Sequence, residues 1–427
     1  MRTSTRLLRS FTALAIFGLV VLMSGPRASA QQERVLHNFV ANLKDGDVPY
    51  AGVIFDKAGN MYGTTELGGT YNLGTVFEMS PKGSSWTETV LHTFRNDGID
   101  GWNPNTSLVL DASGNLYGTT IGGGANTAGT AYELSPGADG KWTETILYSF
   151  DTSGNGYAPG ASMTFDANGN LYGTASGGNG TGSCGVGGCG VVFELLPPQA
   201  GGGSWTETLL HEFSYNGVDG YGPTSGALVF DSKGNLYGVT VYGGEYNQGT
   251  VYELSPQAGG GWSESILHNF AFNGTDGYYP GGGVIFDSVG NLYGTTYEGG
   301  DTGAGGYGTV YELSPASSGT WTEKILLNIN SGVGNPVYPS FSLTFSSDSD
   351  LYGVSSTGGN GYGEVFELKP AKNGSWNETD LHSFVNSHGV DGTVPRGVVT
   401  FGPNGYLYGT TTGGGKFGGG TVYEIIP

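Results

Sequence analysis

Three kinds of residue in this 427-residue chain could do chemistry, and each recurs at a regular interval. Five of the six histidines stand two residues before a phenylalanine, at His37, His92, His211, His268 and His382. Brought together they could bind a transition metal, which takes three or four converging ligands. Glutamates recur in pairs such as Glu78 and Glu88, and glycosidases use two carboxylates roughly 5 to 9 Å apart. Aspartates recur beside aromatics in Asp100-Gly-Trp102, Asp219-Gly-Tyr221 and Asp276-Gly-Tyr278, with a further copy at Asp391-Gly. Acidic groups next to Trp and Tyr on loops suit sugar or cation binding.

The elements that must position these residues come from one repeat. The tripeptide (Leu/Met)-Tyr-Gly begins at Met61, Leu116, Leu171, Leu236, Leu292, Leu351 and Leu407, at spacings of 55, 55, 65, 56, 59 and 56 residues. Each copy carries four short β-rich segments bounded by turn residues. They are an apolar run ending in Asp, as in Leu228-Val-Phe-Asp231, then Asn-Leu-Tyr-Gly-Thr-Thr, Gly-Thr-Val-Tyr-Glu-Leu-Ser-Pro and Trp-Thr-Glu-Thr-x-Leu-His-x-Phe. Four strands per copy predict one antiparallel blade, and seven copies predict an all-β, seven-bladed β-propeller.

The chain ends argue for a closed ring. The Trp-x-Glu segment occurs six times, and the last copy stops before its own. Glu33-Arg-Val-Leu-His-Asn-Phe39 matches Glu88-Thr-Val-Leu-His-Thr-Phe94, so the N-terminal segment is expected to complete the last blade. A linear solenoid would instead need polar caps at both ends.

The repeat resembles the bacterial tandem repeat called GloVer, of the "choice-of-anchor" proteins, in its Asp-x-x-Gly-Asn-Leu-Tyr-Gly-Thr-Thr, Gly-Thr-Val-(Tyr/Phe)-Glu-Leu-Ser-Pro and Trp-Thr-Glu-Thr-x-Leu-His-x-Phe strings. The resemblance implies an exported bacterial protein and carries over no catalytic residue.

Residues 1–30 read as a signal peptide, with Arg2, Arg6 and Arg9 before an apolar run and Ala28-Ser-Ala30 at the cleavage site. Residues 31–427 then form one propeller domain, secreted to the periplasm or beyond, with no stable membrane anchor. The formal charge of −21 falls to −25 once the four arginines of the leader are gone. Such a surface repels phosphate backbones, which excludes nucleic acid as a partner. In an exported chain, Cys184 and Cys189 are expected to form a disulfide.

Position in the blade tempers the opening list. The histidines fall on outermost strands and are expected to be spread around the rim, packed and hydrogen-bonded. The paired glutamates recur in nearly every copy, and outer strands wetted by solvent explain them more economically than catalysis. The aspartates are also expected as turn formers, and no Asp-x-Asp-x-Asp-Gly calcium pattern is present. No cofactor is expected, with calcium the one cation these loops could take.

Basic residues are scarce, so Arg396 stands out, close to the channel mouth. An anionic sugar could pair with it, although a rim salt bridge to a nearby Asp is the simpler expectation. The ligand-binding candidates are therefore Asp100, Trp102, Asp219, Tyr221, Asp276, Tyr278, Asp391 and Arg396. They suit a non-catalytic binding or scaffolding module for a carbohydrate or cell-surface protein. The alternatives are a polysaccharide lyase or hydrolase with its site at the channel mouth, and a structural surface component.

Overall fold

A computed structural model describes residues 32–426, apart from 154–155, 179–183, 185–186, 199–202, 224–225, 302–305, 318, 330–335, 340, 387–388 and 390. The expected leader, 1–30, and His388 lie outside the described residues.

Seven antiparallel four-stranded sheets form a seven-bladed propeller. The first blade runs Ile54–Phe55, Met61–Thr65, Thr75–Lys82 and Ser85–Thr93 from the axis outward. The last blade joins Gly392–Phe401, Leu407–Gly414 and Thr421–Ile426 to the N-terminal strand Gln32–Asn38. Val35 pairs with Tyr423 and Asn38 with Thr421, so the two chain ends share one sheet. Phe39 is fully buried against Phe77 of the first blade, with ring centroids 5.2 Å apart. The closing segment thus fills core as well as completing a ladder.

The repeat strings have local physical causes. Asp111 Oδ1 accepts the amides of Ser113 and Asn115, both at 2.8 Å, and its Oδ2 accepts the Asn115 side chain. Ser346 Oγ takes over this part in the sixth blade, accepting the Asp350 amide at 3.1 Å. The Gly of Leu-Tyr-Gly is a packing requirement. A Cβ on Gly118 would stand 2.4 Å from the hydroxyl of Tyr132 on the neighbouring strand. The Tyr of the same string turns to the next blade, where Tyr62 meets Trp142 edge-on at 6.0 Å.

The hydrophobic core is correspondingly divided among the interfaces between blades. One cluster joins Tyr62, Val76 and Phe94 of the first blade to Leu108, Leu116, Tyr132 and Leu134 of the second. Burial of these side chains supplies most of the stabilisation, at about 25 cal/mol per Å² of apolar surface.

The inter-blade loops and the loops between second and third strands meet on one face, as their short ladders require. Gly46–Asp47 pairs with Leu67–Gly68, and Gly101–Trp102 with Gly122–Gly123. Cys184 and Cys189 are joined, with Cα atoms 5.1 Å apart. Cys189 is itself buried in the core beside Val192 and Leu228, so the bridge ties its loop to the blade interface.

Candidate functional site

The aspartates that follow each outer strand point into the wall between blades. Asp100 is 1% exposed. Its Oδ2 accepts the Arg95 amide at 3.1 Å and lies 3.2 Å from His92 Nε2. Asp219, Asp276 and Asp391 are buried alike, each against His211, His268 or His382. They sit at four separate interfaces, and none is directed at a shared ligand.

Each His–Asp pair is joined by a glutamate from the next blade. His92, Asp100 and Glu144 bring one nitrogen and two oxygens within 4.8 Å of one another. The same grouping recurs as His37–Asp45–Glu88, His211–Asp219–Glu264, His268–Asp276–Glu323 and His382–Asp391–Glu33. The histidines are therefore spread around the rim, yet each is gathered into a threesome. That is one ligand short of the usual tetrahedral metal set.

The glutamates depart from expectation. Glu88 and its equivalents are not wetted by solvent, because alternation along the outer strand turns them toward the following blade. Oε1 of Glu88, Glu144, Glu264 and Glu323 has no accessible surface and no hydrogen-bond partner. Burial, then the neighbouring Asp100 or Asp276 charge, pushes Glu144 and Glu323 up to about 9. A protonated glutamate donating to an aspartate is the arrangement that leaves no orphan oxygen there. Glu78 and Glu88 do not form a catalytic pair. Glu78 stands opposite Thr89 and Glu88 opposite Met79 in the ladder, so their side chains lie on opposite faces of the sheet.

The loop face over blades four to six is different. Tyr221 stacks on Tyr242 with centroids 5.5 Å apart, and Tyr242 meets Tyr279 at 5.4 Å. Tyr215 extends the row at one end, through Tyr221 at 5.5 Å. Tyr278 and Phe272 extend it at the other, at 5.1 and 5.3 Å. Six rings in sequence thus cross the loops entering blades four and five. Beyond them Tyr338, on the loop entering blade six, stacks on Tyr297 at 4.6 Å.

Tyr215, Tyr242 and Phe272 are between 43% and 58% exposed, so the row presents open aromatic surface. Tyr278 is itself buried, at 6% exposure, and that burial, then a hydrogen bond to Glu298, pushes it up to about 12. At the Phe272 end a groove of about 740 Å³ is walled by Tyr246 and Phe272, with His268, Asp276 and Glu323 also lining it.

Of the residues singled out from sequence, the fold brings Tyr221 and Tyr278 into one row, connected by Tyr242 and Tyr279. Trp102 packs alone over Gly122, where a Cβ would stand 2.3 Å from the indole. Sequence reading placed Tyr279 and Tyr338 on the inter-blade loops of the same face but missed Tyr215, Tyr242, Phe272 and Tyr297. The available signal was local aromatic excess, since no other group of consecutive loops carries so many tyrosines.

Arg396 does not form the expected salt bridge to Asp. Its Nη1 donates to the Tyr50 hydroxyl at 2.5 Å, and its guanidinium lies 4.7 Å from the Tyr50 ring centre. Tyr50 comes from the first blade, so this contact crosses the ring closure.

Comparison with known proteins follows the architecture. The Gloeobacter/Verrucomicrobia repeat matches over residues 25–227 and 179–423. No curated protein matches the sequence. A fungal alcohol oxidase of the AA5 family, solved in complex with copper, aligns at 16% identity and a TM-score of 0.55, over 93% of this chain and 76% of that one. A luciferin-regenerating enzyme aligns at 13% identity and a TM-score of 0.45, over 93% and 95%. At such identity the likeness to the oxidase is one of fold alone.

Proposed function

The chain belongs to the Gloeobacter/Verrucomicrobia repeat family, and we propose that it is an exported, non-catalytic binding propeller that holds carbohydrate on the tyrosine row above blades four to six. The observation that carries this reading is the continuous run Tyr215–Tyr221–Tyr242–Tyr279–Tyr278–Phe272. Tyrosines held by one another are rigid, amphipathic surface that loses little entropy on binding. A sugar offers the matching pattern of apolar C–H faces and hydroxyls. Phenolic hydroxyls and Glu298 supply polar partners along the row.

Two further observations support a binding role over a catalytic one. The carboxylates and imidazoles that could move protons recur at five interfaces, as a scaffold would. Among the described residues, those lining the axial cavity include no carboxylate or imidazole. The disulfide and the bacterial repeat family are compatible with an extracellular location.

The test is a glycan array on the purified chain, with and without calcium. Binding to at least one extended glycan is expected without added calcium. Failure on every glycan in both conditions, with capture of a cell-surface protein instead, would replace the carbohydrate with a protein partner.

A further inference from the structure

The propeller axis holds a cavity apart from the tyrosine row. A cavity of about 370 Å³ lies where the first strands converge, walled by Leu108, Met163, Leu228, Val284, Leu343 and Val398, one from each of six blades. Its volume falls in the range of roughly 300 to 1,000 Å³ typical of small-molecule sites. Tyr50 and Asn105 also line it.

The residue after each inter-blade proline differs between blades. It is Tyr50, Asn105, Gly160, Gly281 and Arg396 in five of them. The described residues contain three arginines. Arg34 is paired with Glu424 at 2.6 Å and Arg95 with Asp97 at 2.8 Å. Arg396 has no carboxylate within 4.0 Å among the described residues, in a chain of formal charge −21. Its partner is the neutral Tyr50, which meets Phe341 of the cavity wall edge-on at 6.5 Å.

Arg396 is not itself part of the lining but adjoins it, through Tyr50 and through the next residue, Gly397, so a guanidinium left without a carboxylate stands beside a largely apolar cavity. The planar fork of the guanidinium matches a carboxylate. The wall beneath rewards an apolar body and penalises a small, fully hydrated anion. We propose that the axial cavity binds a small organic carboxylate, with its head group on Arg396 and a compact apolar body in the cavity that Tyr50 and Phe341 line. Stacking on Tyr50 holds the guanidinium in place before the ligand arrives, so little of the binding energy is spent on ordering it.

The test uses the purified chain with benzoate and hexanoate as probes, and sulfate and benzyl alcohol as controls, by titration calorimetry. Both carboxylates are expected to bind, with affinity at least tenfold weaker in Arg396→Gln. Ala227→Leu, which fills the cavity from the fourth blade, should reduce binding while Arg95→Gln leaves it unchanged. The thermal midpoint of each variant reports its folding. Tyr242→Ala should also leave benzoate binding intact, which separates this site from the glycan row. The inference is overturned if neither carboxylate binds, if sulfate or benzyl alcohol binds as tightly as benzoate, or if folded Arg396→Gln binds benzoate like the parent chain.

Discussion

The wall between the first two blades and the loop face above blades four to six come from the same repeat, yet they spend their polar and aromatic residues differently. In the wall, Asp100 is buried between the half-buried His92 and Glu144, and the threesome has counterparts at four other interfaces. On the loop face the aromatic rings, with Tyr215, Tyr242, Tyr297 and Phe272 exposed, crowd together over one part of the ring. A residue that recurs in every blade answers a need that every blade has, namely closing against its neighbour. A residue type concentrated at one sector answers a need the scaffold does not have. The contrast assigns stability to the wall and is the basis for proposing that the loops carry recognition.

The largest expected effect lies in the wall at the ring closure. Phe39→Ala empties a fully buried site and should cost about 3–5 kcal/mol in chemical denaturation. Removing residues 31–39 should abolish cooperative unfolding of the whole domain. A deleted chain that unfolded like the parent would break the closed-ring account.

Next comes the response of the wall to pH. Burial, reinforced by neighbouring acidic groups, raises Glu33, Glu88, Glu207 and Glu264 to about 7, and Glu144, Glu323 and Glu364 to about 9. The folded chain holds these protons more tightly than the unfolded chain. Their contribution is therefore complete below the unfolded value of about 4.5 and is lost as pH rises toward 7 to 9. His382 acts in the same direction, since the hydrogen bond to Asp391 and nearby carboxylates outweigh the burial that opposes its charge. The thermal midpoint should fall steadily from pH 5 to pH 9. Glu144→Gln, which keeps a donor and cannot ionise, should flatten part of that slope.

A smaller effect is expected from exchanging one wall interface for another. His and Asp are present together at five interfaces and absent together at two, where Tyr148 accompanies Asn155 and Leu327 accompanies Asn335. Tyr148 donates to Glu207 at 2.9 Å in place of the His–Asp pair. Asp100→Ala alone should cost about 1–3 kcal/mol, by stranding the Arg95 amide and Glu144. His92→Tyr with Asp100→Asn should cost less than Asp100→Ala, because the new tyrosine can donate to Glu144 as Tyr148 donates to Glu207.

These cases mark how far the sequence could be read. The strand strings, the Asp turns, the ring closure and the disulfide depend on neighbours a few residues apart, or on a repeat matched to itself. All of these are visible in one dimension. The burial of Glu144 depends on which side of an outer strand faces the next blade, a matter of packing that no spacing encodes. The joint presence of His and Asp eight or nine residues apart was a readable sign of their pairing. Arg396 finds Tyr50 only through closure, 346 residues away. The tyrosine row draws on the loops entering blades four and five and the strand between them, so its rings meet only once the blades are stacked.

The smallest effect on stability should be on the loop face. Tyr242→Ala removes an exposed ring and should change unfolding free energy by no more than about 0.5 kcal/mol. The decisive measurement is a glycan array comparing the parent chain with Tyr242→Ala/Tyr279→Ala at matched thermal stability. The assignment of recognition to the loop face predicts glycan signals in the parent that disappear in the folded double variant. Equal signals from both proteins, or none from the parent, would contradict it.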